Sequence, residues 1–394
     1  MGIKELISKV IPDELKQISS FEVLRNRRMG VDVSNYMFKL VTTRDNLVRE
    51  FHAQPRVDIS SHIDKYWDSF KKVCDEFDIV MVLVLDGKRN PAKFDTNLSR
   101  EALREKSFEK MNDLYKNGDQ EDMEDMLKLQ KATMTISDDM LYTVKAWSEK
   151  NGVKCVQSLF EADAGLQHLE DMGITDGTFS EDGDFFPLNS KLWATKVSLS
   201  QKTLILFDSE LIRKSLVSKW RLDDSTVMTA DHGRVLSVLL GCDFLPRPKG
   251  FGPKTVENFI TKWMSSSVEE NNKSLLLIEQ GTKKRKSTAP IDDGIPGYSV
   301  KFWLAFNMLK HPPVFKFTSL SEKVQVHVGL LGNIELPPSK ESVIQLLGFD
   351  AFEDETALGD LEKLLFIDSD IFIRTMRPLL PICQPRIAYL CMIC

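Results

Sequence analysis

Ile79-Val80-Met81-Val82-Leu83-Val84-Leu85-Asp86-Gly87-Lys88 is a continuous apolar run closed by an acid, a glycine and a base. An apolar run of this length without alternation suits a parallel strand buried on both faces. An acid at the carboxyl end of such a strand stands where open α/β sheets place their ligands. Met29-Gly30-Val31-Asp32-Val33-Ser34 repeats the arrangement, a short apolar strand with one acid in it. Burying a carboxylate is costly unless it is paired or bound to a metal, and Asp32 can equally be a cap for the helix that follows. Between the two strands, Ile63, Trp67, Phe70, Cys74 and Phe77 recur at spacings of three and four, which predicts a helix over 60–77. Further on, Val153–Val156 and Thr203–Phe207 read as strands, and Gly173–Ser180 as turn and strand. Strand and helix thus alternate, which predicts an α/β fold with a mostly parallel central sheet flanked by helices.

Two acidic pairs follow the predicted strands, Glu161-Ala162-Asp163 and Asp182-Gly183-Asp184. Hard divalent cations such as Mg²⁺ take oxygen ligands, usually a few carboxylates plus retained waters. Two ions held ~3.5–4 Å apart can clamp both the attacking and the leaving oxygen of a phosphodiester. Acids with one residue between them let one short segment reach both ions, although such pairs also occur on solvated turns. The chain has 394 residues, 42% hydrophobic and 28% charged, with net charge −6. Nucleic-acid proteins are more often basic, but a metallonuclease can concentrate its acids at the metals and keep a basic path elsewhere. The cysteines, Cys74, Cys155, Cys242, Cys383, Cys391 and Cys394, form neither a zinc pattern nor a disulfide framework, which points to a reducing compartment. No signal peptide and no bilayer-length apolar run is legible.

Val31-Asp32-Val33-Ser34, Val84-Leu85-Asp86-Gly87-Lys88, Glu161-Ala162-Asp163-Ala164, Glu181-Asp182-Gly183-Asp184, Leu240-Gly241-Cys242-Asp243-Phe244 and Gly250-Phe251-Gly252-Pro253-Lys254 occur in that order. With the opening Met1-Gly2-Ile3-Lys4, the set resembles the XPG-type structure-specific 5′ nucleases, flap endonucleases and the related 5′→3′ exonuclease, as far as about Ile260. The resemblance implies a PIN-like nuclease core over 1–230 with a helical arch at about 98–135, and a helix–two-turn–helix DNA-binding element over 231–264. A polar linker over 265–299 and a mainly helical extension over 300–394 complete the expected layout. The implied metal ligands are Asp32, Asp86, Glu161, Asp163, Asp182, Asp184 and Asp243, holding two Mg²⁺ ions, for which Mn²⁺ can substitute. Where the family usually has Glu, this chain has Asp163, one methylene shorter. Lys93 and Arg100 fall where the family places bases against the scissile phosphate, and together with Asp182 they are the implied catalytic residues. Phe38 falls on the base-stacking aromatic, and Gly2, Lys93, Arg100, Gly250, Gly252 and Lys254 on DNA-contacting positions. K⁺ on backbone carbonyls is implied at the helix–two-turn–helix element.

The function so implied is Mg²⁺-dependent cleavage of phosphodiesters at 5′ flaps or junctions, in DNA replication or repair. Alternatives are a 5′→3′ exonuclease of the same family, a junction-binding protein without catalysis, and an unrelated Mg²⁺-dependent phosphoesterase, which would not account for Gly250–Lys254. The partner is branched or nicked double-stranded DNA, with no membrane. The acidic run Asp119-Gln120-Glu121-Asp122-Met123-Glu124-Asp125 departs from an arch that draws in a strand, because acids repel phosphate. Lys283-Lys284-Arg285-Lys286 suits a nuclear-import signal, a DNA contact or a solvated linker. Gln345-Leu346-Leu347-Gly348-Phe349 only superficially suggests a sliding-clamp motif, and Cys391-Met392-Ile393-Cys394 fits a prenylation pattern only formally.

Overall fold

The computed structural model describes residues 3, 5–53, 58–87, 90–117, 123–158, 160–223, 225–280, 297–312, 314–319, 323–327 and 333–336. Residues up to Lys310 form one compact unit and those from His311 a second. The first unit is built on seven strands: β1 (Ile18–Ser20), β2 (Arg28–Asp32), β3 (Val80–Leu85), β4 (Lys154–Gln157), β5 (Gly177–Phe179), β6 (Trp193–Ser198) and β7 (Thr203–Phe207). Their spatial order is β1-β7-β6-β5-β2-β3-β4. From β6 to β4 every pairing is parallel, with Val31 beside Leu83 and Phe179, and Leu83 beside Cys155. β7 and β1 close one edge antiparallel.

The chain builds β2, β3 and β4 in one direction and then returns to lay β5 on the other side of β2. That reversal is the switch point at which α/β sheets leave a crevice beyond their carboxyl ends. β5, β2, β3 and β4 are neighbours there, and each delivers an acid on leaving the sheet. One contact fixes how tightly β5 can sit. A Cβ on Gly177 would lie 2.5 Å from the carbonyl oxygen of Leu192, the residue before β6.

The helices are α1 (Val33–Thr43), α2 (Asp45–Ala53), α3 (Ser60–Glu76), α4 (Phe94–Asn117), α5 (Met123–Thr133), α6 (Asp138–Lys150), α7 (Ala162–Asp171), α8 (Phe185–Leu188), α9 (Ser209–Lys219), α10 (Ala230–Leu240), α11 (Pro253–Ser265), α12 (Val268–Gln280) and α13 (Tyr298–Lys310). α3 buries Ile63, Trp67, Phe70 and Cys74, the stripe read from its spacing, together with Val73. Phe70 meets Tyr36 edge-on at 5.3 Å and Phe179 at 5.4 Å, so one ring joins α3, α1 and β5. Apolar burial of this kind supplies the main drive for folding. Ser137 caps α6 by accepting from the Met140 N–H, as its position before the helix suggests.

The region expected to form an arch holds the pair α4 and α5. Met111 on α4 is buried, and Gln130 of α5 donates to the Tyr115 hydroxyl at 3.2 Å. The polar stretch read as a linker over 265–299 contains a helix, α12. Its Leu275 is buried, Asn271 donates to the Trp263 carbonyl at 3.2 Å, and Glu279 accepts from the Gly297 N–H at 3.0 Å. Its polar residues face the protein as well as solvent, which hides the helix from a hydropathy reading. The extension expected to be mainly helical begins with α13. It continues as an antiparallel sheet of β8 (Val314–Ser319), β9 (Lys323–His327) and β10 (Asn333–Leu336), in the order β10-β9-β8. Alternation such as Lys323-Val324-Gln325-Val326-His327 is the period-two pattern of a strand.

Candidate metal centre

Asp32 ends β2 and caps α1. Its Oδ1 accepts from the Asn35 N–H at 3.0 Å and its Oδ2 from the Ser180 hydroxyl at 2.9 Å. The same Ser180 oxygen accepts from the Asp182 N–H at 3.2 Å, and Asp182 Oδ1 accepts from the Asp184 N–H at 3.2 Å. A chain of hydrogen bonds thus runs from the end of β2 through the loop after β5. Asp86, next to β3, plays a similar part for α7: its Oδ1 accepts from the Ala162 N–H at 2.7 Å. Glu161 holds the N-cap position of α7 but makes no side-chain cap bond, which leaves its carboxylate for other partners. Asp163 follows in the first turn.

The structure draws Asp163, Asp182 and Asp184 together, with one carboxylate oxygen of each within 4.8 Å of the others. Opposite ligands of an octahedral Mg²⁺ stand ~4 Å apart, given Mg–O distances of about 2.0–2.1 Å, so the spacing is close to that of a bound ion. Asp184 is buried, and its Oδ1 has no hydrogen-bond partner among the described residues. A buried carboxylate oxygen without a donor needs a proton or a cation. Burial, then the charges of Asp32 and Asp182, holds the Asp163 carboxyl well above its ordinary value. Burial and Asp182 do the same to Asp184. Asp32 is pushed up to about 7 by burial and then by Asp86, against the two hydrogen bonds it accepts. An all-oxygen, anionic, partly desolvated donor set of this kind fits a hard divalent cation. Asp163, one methylene shorter than Glu, lies within the cluster.

Glu161 and Asp243 share a buried cation, Lys93. Lys93 is 3% exposed. Its Nζ pairs with Glu161, lies 3.2 Å from Asp243 Oδ2, and sits 5.0 Å over the Phe244 ring. Burial opposes the ammonium charge, but Glu161, Asp243, Asp184 and Asp163 outweigh it and hold its pKa well above the ordinary lysine value. Burial, with the charges of Asp86 and Asp243, holds the Glu161 carboxyl above its ordinary value in spite of Lys93. At Asp243 burial is outweighed by Lys93 and Arg100, and the carboxyl is held below its usual value. Arg100, one helical turn and more beyond Lys93, donates to Asp243 Oδ1 at 2.7 Å, and Thr96 donates to the Asp243 carbonyl at 2.6 Å. The start of α4 is therefore pinned to the turn after α10.

Two family models match the chain, the XPG N-terminal domain over residues 1–107 and the XPG I-region over 152–243. The chain belongs to the XPG family of structure-specific 5′ nucleases. It is thus an enzyme of the hydrolase class. It is 26% identical over 367 residues to flap endonuclease 1 of Heterostelium pallidum, covering 92% of this chain and 85% of that one. Against flap endonuclease 1 of Entamoeba dispar the identity is 26% over 270 residues, 67% of each chain. Among solved structures, the catalytic core of Rad2 in complex with DNA substrate superposes with a TM-score of 0.54 at 18% identity, covering 81% of this chain and 89% of that chain. That likeness shows the fold, a PIN-like nuclease core with a mostly parallel sheet.

Of the other residues singled out in this XPG-family chain, Phe38, Gly250, Gly252 and Lys254 fall among the described residues. Tyr36 is fully buried and belongs to the core, whereas Phe38 is half-buried on α1. Gly250 has φ +82, a left-handed conformation that favours glycine, in an exposed turn. Gly252 caps α11, Pro253 occupies its first turn, and exposed Lys254 pairs with Glu257. The first-turn N–H groups of α11 lack partners within the helix, as at any helix start. Gly2, the Lys283–Lys286 run, the 345–349 stretch, Cys391–Cys394 and residues 119–122 of the acidic run lie outside the described residues. Sequence reasoning missed Ser180, Asn35 and Thr96, small polar residues whose only signal is their nearness to an acid in the chain. It also missed that Lys93 is buried.

Proposed function

We propose that this chain is an Mg²⁺-dependent nuclease that cuts DNA phosphodiesters at 5′ flaps or junctions, in replication or repair. The convergence of Asp163, Asp182 and Asp184 around the unpartnered buried Asp184 Oδ1 carries this reading. It is supported by the family match and by relatives named flap endonuclease 1. Asp163, Asp182 and Asp184, joined by Asp32, Asp86, Glu161 and Asp243, would hold two Mg²⁺ ions, with Mn²⁺ as a substitute. When bound, such ions supply an acidified water and neutralise charge on the phosphate and on the leaving 3′ oxygen.

The chain's own residues do the rest. Arg100 is partly exposed and now rests on Asp243, so a phosphate can take over its guanidinium. Lys93 is too deep to follow and stays as a fixed positive charge among the carboxylates, next to the reacting phosphate. Ser180 and Asn35 hold Asp32 and the 180–184 loop in register. Phe38 would stack on a terminal base, and the Gly250–Lys254 turn would meet duplex phosphates without reading sequence, with K⁺ on its carbonyls. The Lys283–Lys286 run would carry the protein to the nucleus.

The exonuclease alternative draws on one observation. α4 carries Asp95, Glu101, Glu105, Glu109 and Asp113 against Arg100, Arg104, Lys106, Lys110 and Lys116, so it offers no net positive field to pull in a flap. A single-turnover assay with Mg²⁺ on a 5′ flap, a nicked duplex, a blunt duplex and a four-way junction separates the two. One discrete flap product supports the endonuclease, and a mononucleotide ladder the exonuclease. Binding without metal-dependent cutting refutes both.

A further inference from the structure

We propose that Glu181 is a positioning residue that binds no metal and instead locks the Ser180–Asp184 loop so that Asp182 and Asp184 meet Asp163. The inference rests on the preceding section only in taking those three carboxylates as a divalent-cation site. Glu181 stands between Ser180 and Asp182, yet its side chain is fully engaged elsewhere. One carboxylate oxygen accepts from Lys39 Nζ at 2.5 Å and from the Val197 N–H at 3.2 Å. The other accepts from the Lys196 N–H at 2.9 Å and the Thr195 hydroxyl at 3.2 Å. Its own N–H donates to Asn35 Oδ1 at 3.1 Å. One residue therefore ties the loop to α1 twice and to β6 three times.

β6 is shaped for this attachment. Its pairing with β7 shifts register between Thr195 and Ser198, and Lys196 has φ +50, in the left-handed region. A bulge of this kind frees backbone N–H groups from the ladder, and here the Lys196 and Val197 N–H groups turn to Glu181. A left-handed lysine persists only where its surroundings fix it. The loop has need of such a fixing. Asp163, Asp182 and Asp184 repel one another whenever no cation is bound, and Gly183 within the loop gives the backbone no stiffness. Against that repulsion stand the Ser180–Asp32 bond and the five bonds of Glu181. Outer partners that orient metal ligands typically alter metal affinity by about 10–100-fold when removed.

The test is calorimetric titration of the full chain with Mg²⁺, alongside the Mg²⁺ concentration for half-maximal single-turnover cleavage. In Glu181→Gln an NH₂ group replaces one oxygen and meets donors where it needs acceptors. We expect Mg²⁺ affinity to fall on the order of tenfold and the half-maximal concentration to rise by the same factor. The cleavage rate at saturating Mg²⁺ should be largely kept, which general destabilisation would not produce. The double variant Lys39→Met/Thr195→Val removes two of the donors and leaves the acid; it should weaken Mg²⁺ binding in the same direction by less. Folded Glu181→Gln with wild-type Mg²⁺ affinity overturns the proposal. Should that variant fail to fold, unchanged affinity in the double variant overturns it. Wild-type protein that binds Mg²⁺ but cuts no DNA refutes the nuclease reading and leaves the calorimetric comparison decisive for Glu181. Wild-type protein that binds no Mg²⁺ overturns both.

Discussion

In EDTA, stability should fall as pH rises from 5 to 8, and saturating Mg²⁺ should remove that fall. Asp32 has its carboxyl pushed from 3.8 to about 7 in the folded chain. Between those two values the folded chain holds a proton that the unfolded chain has released. Stability therefore declines as pH rises through this window, and the whole penalty is present above the folded value. The full gap corresponds to on the order of 4 kcal/mol, of which about 2.5 kcal/mol falls between pH 5 and 8. Asp163 and Asp184 are raised as well and act with the same sign. Asp243 is lowered below 3.8, so its contribution is lost only in stronger acid, outside the window. His232, lowered by burial, works the other way, but only below its ordinary value of 6.5.

Mg²⁺ changes the sign because it binds the deprotonated carboxylates, so its affinity grows with pH. At one hundred times its dissociation constant a ligand adds ~2.7 kcal/mol. That matches the size of the Asp32 penalty, so the two curves should separate at pH 8 and converge near pH 5. Urea unfolding at pH 5, 6.5 and 8, in EDTA and in Mg²⁺, reads this directly. Rising stability from pH 6.5 to 8 in EDTA, or no separation by Mg²⁺ at pH 8, would refute the reasoning.

Asp182→Asn should abolish cleavage and keep most DNA binding at low salt; full activity, or lost binding in a mobility-shift assay, contradicts this. Lys93→Ala should slow the single-turnover rate more than it weakens binding. It should also cost about 3 kcal/mol of stability in metal-free protein, the low end for a broken buried pair, because half-buried Glu161 and Asp243 lose their shared cation. Gly177→Ala puts a methyl group against the Leu192 carbonyl and should cost about 1–3 kcal/mol in a thermal melt, whereas an unchanged melt would mean that β5 and β6 can separate freely. Gly250→Ala, at φ +82, should strain its turn by about 1–2 kcal/mol and weaken duplex binding with Mg²⁺ affinity unchanged by calorimetry; equal loss of both would break the separation of the two sites.

The α/β reading was strongest at β2 and β3, because each carries a mostly apolar run with an acid at or just beyond its carboxyl end, as a strand buried on both faces does. β6 gave no such sign. Its residues Trp193-Ala194-Thr195-Lys196-Val197-Ser198 neither run apolar nor alternate cleanly, since the bulge breaks the period at Lys196. β1 is three residues long and pairs only at the edge, which leaves no window for a pattern. In the site, Asp32 and Asp86 were legible at strand ends and Glu161, Asp163, Asp182 and Asp184 by their paired spacing, whereas Asp243, which follows α10, came only with the family resemblance. Nothing in the chain says that Asp163, Asp182 and Asp184 converge while Glu161 and Asp243 meet through Lys93. That partition follows from the depth at which Lys93 is packed, and a lysine in a polar stretch gives no warning of burial.

Capping and metal binding are usually weighed as rival explanations for an acid at a strand end, and here the geometry joins them. Asp32 caps α1 through Oδ1 and reaches Ser180 through Oδ2. Asp86 gives Oδ1 to the start of α7, the helix that carries Asp163. Each cap bond holds one oxygen and so aims the other, as a partner to a metal-binding carboxylate must. A helix start also carries partial positive charge that eases crowding among carboxylates before a cation arrives. Replacing Asp86 by Asn would keep an acceptor for the Ala162 N–H and remove only the charge. It should therefore leave the fold intact and weaken Mg²⁺ binding, whereas Asp86→Ala should lose both. If the two variants were equally stable, the cap would be idle, and Asp86 would have to be explained by the cations alone.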